Sequence, residues 1–176
     1  MTEPPGQDAL PIDAEQVREM YDALRRIARR ERRRLPSATL NTTALVHEAW
    51  LRLSPEQSNY DDRRHFLGTA AVAMRRLVVD YARERSAQKR GGDVTHVELG
   101  DPAEPQNVSL ERILDIDRAL DGLETVDPGL LKLVELRFFG GLSCDEAADV
   151  LEVSPRTVAR EWAKARALLK VTLAGS

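Results

Sequence analysis

Apolar residues recur at spacings of three and four along most of the chain, and no stretch alternates with a period of two, so the pattern predicts helices throughout. Over 13–34, Val17, Met20, Tyr21, Leu24, Ile27 and Ala28 form one apolar stripe. Asp13 and Glu15 open that helix and arginines crowd its end, which suits the helix dipole. Pro36 closes it, because proline cannot continue the hydrogen-bond ladder. A second helix, from about Thr42 to Leu53, carries Leu45, Val46, Ala49, Trp50 and Leu53 on one face and stops at Ser54-Pro55. After a polar loop over 54–64, a third helix from about His65 to Lys89 aligns Phe66, Leu67, Ala70, Ala73, Met74, Leu77, Val78 and Tyr81, and Gly91-Gly92 ends it.

Residues 91–109 have no periodicity, two prolines and three glycines, and read as a linker. Helical spacing returns with Leu110, Ile113, Leu114, Ile116 and Leu120, and Asp127-Pro128-Gly129 divides that helix from the next. The expected architecture is all-α. A disordered lead over 1–12 precedes a helical domain over 13–90, an acidic linker over 91–109 and a second helical domain over 110–176.

The most specific local pattern lies near the end. A helix from Leu130 to Phe139 stops at Gly140-Gly141. Ser143 with Glu146 forms a capping box for a short helix to Leu151 that buries Ala147, Ala148 and Leu151. Glu152-Val153 turns the chain, and Ser154-Pro155 supplies an N-cap followed by proline at the first helical position. The last helix, to about Leu173, buries Val158, Trp162, Ala165, Leu168 and Leu169. A short helix, a brief turn and a longer basic helix make the helix-turn-helix arrangement, whose second helix enters the DNA major groove. Arg156, Thr157, Arg160 and Glu161 would face base edges, arginine suiting the two acceptors of guanine and glutamate accepting from cytosine. Lys164 and Arg166 are placed for phosphates. The plainer alternative is a helical hairpin with a solvated basic face.

Charge sharpens this picture. The chain carries 26 Lys+Arg against 29 Asp+Glu, a net −3 that says nothing about nucleic acid by itself. Residues 1–90 carry 17 basic against 13 acidic side chains, 91–130 carry 2 against 10, and 131–176 carry 7 against 6. The average therefore hides two basic patches separated by an acidic middle. One cysteine, Cys144, excludes an internal disulfide framework and a cysteine-built zinc site. The first eleven residues lack the basic-then-apolar order of a secretion signal. No apolar run approaches the roughly 18 residues that span a bilayer. The expected location is cytoplasmic, with no membrane partner.

With these elements in place, the chain resembles an extracytoplasmic-function (ECF) sigma factor. LLKLVELRFFGGLSCDEAADVLEVSPRTVAREWAKARALL resembles that family's region 4, and TALVHEAWLRL with HFLGTAAVAMRRLVVDYARERSAQKR resembles its region 2. The likeness covers residues 14–173 in the expected order, and is nearest to an ECF-like subgroup associated with serine/threonine kinase signalling. It implies core RNA polymerase and promoter DNA as partners. Region 4 reading the −35 element falls on Arg156, Thr157, Arg160 and Lys164. Region 2 opening the −10 element falls on Asn59 to His65, then Arg75, Arg76, Asp80 and Arg83. Melted bases need polar pockets and a basic groove. Region 2 also docks on the polymerase's largest subunit through Thr42 to Leu53, which places Glu48 and Arg52 towards polymerase and Trp50 and Leu53 in the core.

One departure stands out. The family begins the docking helix with an acidic cluster of the type Asp-Ala-Glu-Asp before Leu-Val, whereas this chain has Asn41-Thr42-Thr43-Ala44 before Leu45-Val46. A phosphothreonine would restore about −1.5 to −2 charges at a helix N-terminus, where backbone N–H groups favour an anion. A serine/threonine kinase acting on Thr43, which takes the glutamate's position, or on Thr42, is the expected switch. The ordinary alternative is that one of the threonines is an N-cap. The arginine run from Arg25 to Arg34 either contacts DNA, clamps the phosphothreonine or is a solvated face. No nucleophile–base pairing, metal-ligand spacing or phosphate loop marks an enzyme, and no cofactor or metal site is expected. The competing function is a helix-turn-helix regulator acting without polymerase docking.

Overall fold

The computed structural model describes residues 14–35, 41–53, 60, 62–88 and 108–174. Among these the chain forms seven α-helices, one π-helical turn and no strand. No helix is long and apolar enough to cross a membrane. The expected lead over 1–12, the loop with Asn59 and nearly all of the linker lie outside the described residues.

Helix α1 (Ala14–Arg34) buries Met20, Ala23, Leu24, Ile27 and Ala28, and α2 (Thr42–Leu53) buries Leu45, Val46, Ala49 and Leu53 against it. Helix α3 (Arg63–Gln88) begins two residues before the position expected from periodicity. Asp62 is the reason: its carboxylate accepts the His65 amide at 2.8 Å and its carbonyl the Phe66 amide at 3.2 Å, as an N-cap does. The amide and Arg64 together hold the Asp62 carboxyl below its usual range. Besides the expected stripe, α3 buries Ala71, Val79 and Ala82, a second apolar face.

That second face carries the other half of the molecule. Helix α4 (Leu110–Val126), the π turn (Glu135–Phe139) and α6 (Cys144–Leu151) all pack on α3. Ser109 caps α4 by accepting the Arg112 amide at 3.1 Å. Asp127 ends α4 and starts α5 (Pro128–Val134), its carboxylate accepting the Leu130 amide at 3.1 Å with Pro128 at the first turn. The helix expected over Leu130–Phe139 is thus longer at its start and changes character at its end. Its last turn is π-helical, with the Gly140 amide bonded to the Glu135 carbonyl at 2.8 Å and all five residues buried. Helix α7 (Pro155–Ala174) returns along α4 and α5. The two helical halves share one continuous apolar core, and the Val108 amide donates to the Arg34 carbonyl at 2.9 Å, joining them again.

Candidate nucleic-acid and polymerase interfaces

Helices α6 and α7 pack together with Ala147, Ala148, Val158, Trp162, Ala165 and Leu169 buried as expected, whereas Leu151 is half-buried and Leu168 is exposed. Ser143 and Glu146 make both reciprocal bonds of the capping box, at 3.1 and 2.9 Å. Glu152 turns the chain in the left-handed region (φ 55°). Ser154 then accepts the Thr157 amide at 3.1 Å. Arg156, Arg160 and Lys164 are exposed and, at spacings of four, share one face of α7. Their ties differ. Arg160 pairs with Glu161 at 2.9 Å, and Lys164 reaches Asp127 at 2.8 Å. Those bonds raise the Lys164 ammonium and lower the Asp127 carboxyl. Thr157 is half-buried, its hydroxyl 2.9 Å from that of Ser154. Beneath this face the Arg137 guanidinium lies 5.1 Å from the Trp162 ring and donates to Cys144 Sγ at 2.8 Å, so Cys144 sits in a structural contact.

The α3 arginines are arranged differently. Arg75 is largely buried and enclosed by carboxylates. Its Nε donates to Asp117 Oδ1 at 2.9 Å, Nη1 to Glu135 Oε1 at 3.0 Å and Nη2 to Asp121 Oδ1 at 2.7 Å. Arg83 donates to the other oxygen of Asp117 at 3.0 Å. Burial opposes the Arg75 charge, but the bonds to Glu135 and Asp117 outweigh it and raise the guanidinium further. Burial also pushes Glu135 above its ordinary range, with Arg75 working against that shift. Arg76 is exposed on the same helix, in a cleft with His65, Thr69, Lys132 and Glu152.

Helix α2 presents Glu48, Arg52, Leu51 and Thr43 to solvent, with Arg52 3.5 Å from Asp80, which also lies 3.9 Å from Arg83. Trp50 is half-buried, its ring 5.7 Å edge-on from Tyr21. The cap of α2 is Asn41: its side chain accepts the Thr43 amide at 3.0 Å and its carbonyl the Leu45 amide at 3.1 Å. The first turn therefore holds Thr42, half-buried, and Thr43, exposed, with no acidic residue. Among the described residues no group of His, Cys, Asp or Glu could hold a metal.

Sequence reasoning missed the buried polar contacts. Arg30 donates to the Gly141 carbonyl at 3.1 Å. Arg34 donates to the Phe138 carbonyl, lies 3.7 Å over the Phe138 ring and pairs with buried Glu31 at 3.0 Å. Part of the arginine run is thus an internal joint rather than a solvated face. A signal existed: Glu31 continues the spacing of Met20, Leu24 and Ile27, as Asp117 lies within that of Ile113, Ile116 and Leu120. An acid on an apolar stripe must find a buried cation.

No curated protein and no solved structure gives a significant match to the chain. The sequence profile of the ECF sigma factor family matches residues 12–175. That span takes in every helix described above, the exposed face of α2 and the basic faces of α3 and α7 alike. The chain accordingly belongs to the ECF sigma factor family, and its activity is promoter-specific transcription initiation with core RNA polymerase.

Proposed function

We propose that this sigma factor is switched on by phosphorylation of Thr43, or secondarily Thr42, at the start of the polymerase-docking helix, which makes a serine/threonine kinase its regulatory partner. The observation that carries this is the cap. Asn41 already fills the capping role, so Thr43 is not needed for it and stands exposed in a first turn that holds no acid. A phosphate there would meet the positive end of α2, an interaction of about 0.3–1 kcal/mol for the helix itself. It would also give the docking face the negative charge that the family's acidic cluster supplies. In the same reading Glu48 and Arg52 face polymerase. Arg156, Thr157, Arg160 and Lys164 of the α6–α7 helix-turn-helix face the −35 element, and Asn59, Arg75, Arg76 and Arg83 face the opened −10 element.

The test is binding of the full chain to core polymerase, unmodified and phosphorylated at Thr43. Weak binding that tightens about tenfold or more on phosphorylation, with Thr43→Ala inert to the kinase and Thr43→Glu intermediate, is the expected result. Equal binding by both forms rejects the switch and leaves the family assignment standing.

A further inference from the structure

Every carboxylate that holds Arg75 and Arg83 across the molecule comes from the other helical half. Asp117 and Asp121 lie on α4 and Glu135 opens the π turn. Asp117 is only 7% exposed, seated among the apolar residues of α4, and its two oxygens go one to each arginine. A charge kept out of water costs heavily unless paired. This contact is therefore specific in a way that a surface ion pair is not. To a guanidinium, these oxygens offer what a phosphate offers, charge-assisted bonds within forked reach. All three Arg75 nitrogens already donate, to these carboxylates and to the Asp117 carbonyl, which takes up four of the five N–H groups.

We infer that the free chain is locked shut by its own carboxylates, with Asp117, Asp121 and Glu135 standing where promoter phosphates would engage Arg75 and Arg83. The inference rests on the reading of α3 as a DNA face and adds its regulation. A binding face that is open in only a fraction of molecules shows an affinity reduced by that fraction, so a lock leaving one molecule in a hundred open weakens binding about hundredfold. The acidic middle of the sequence thereby acquires a role that a mere spacer lacks.

Asp121→Lys is the informative variant, because that side chain is 64% exposed and the change places a cation against Arg75 at a position outside the apolar core. Asp117→Asn, alone and combined with it, removes the buried charge. Asp115→Lys makes the same charge change on α4 at a residue that pairs with Arg118, and serves as the control. Two readouts are taken on the full chain: the radius of gyration by small-angle scattering, and binding of a fluorescein-labelled strand of about 20 thymidines. The native chain and the control are expected to stay compact, near the value of about 16 Å for a chain of this length. The Asp121→Lys and combined variants are expected to expand and to bind the strand about tenfold more tightly than the control. A variant with native helix content that neither expands nor binds more tightly overturns the lock. Expansion with the affinity of the control instead keeps the lock and rejects α3 as the DNA face.

Discussion

At Gly140 the chain lies so close to α3 that a Cβ would stand 2.9 Å from the Ala71 methyl, and it would also stand 2.6 Å from the Leu136 carbonyl oxygen of the π turn itself. Both neighbours are fixed, one by backbone and one by the core of α3, so neither can yield cheaply. Gly140→Ala is expected to cost about 1–3 kcal/mol, as overpacking does, and to lower the melting temperature by about 2–4 °C per kcal/mol. Differential scanning calorimetry reads this directly. The two glycines were legible in the sequence only as a helix stop. Their second task, letting two halves touch, depends on Ala71 and Arg30, which are remote in sequence. Glu31 and Asp117 were better signposted, since each interrupts an apolar stripe with a charge. What was not legible is which cation each one meets.

Among the elements, the joints written in local chemistry matched their expected places: the Ser143–Glu146 box, the Ser154-Pro155 start and the Asp127-Pro128 break are all made within three or four residues. The π turn was not legible, because no residue type within the fully buried Glu135–Phe139 stretch marks the insertion of one residue into the ladder. The Asp127 joint yields a pH prediction. Its carboxyl is held below 3.8 by Lys164 and the Leu130 amide. The unfolded chain therefore takes up the proton first as pH falls. The stability this group supplies is complete above 3.8 and disappears as pH drops through its lower folded value. Asp127→Asn keeps a good cap but cannot titrate. Denaturant midpoints measured from pH 5 to 2 are expected to fall less steeply for the variant than for the native chain.

For the whole molecule, the all-α class of both halves was legible from periodicity alone. Their mutual packing was not, although Ala71, Val79 and Ala82 on the far side of α3 were a trace of it. Periodicity reports that a face is apolar, never what covers it. Because the core runs through both halves, the free chain is expected to unfold in one transition. Trp50 lies in the first half and Trp162 in the second, so Trp50→Phe and Trp162→Phe each leave one fluorescent reporter. Coincident thermal midpoints for the two reporters are the expected outcome, and separated midpoints would show independently folding halves. The carboxylates facing Arg75 and Arg83 have one further consequence. A rival on the same chain acts at an effective concentration of about millimolar, far above any promoter in a cell. Dilution leaves the open fraction unchanged, so the locked chain acts as a smaller amount of protein, and the event that parts its halves raises output with no new synthesis.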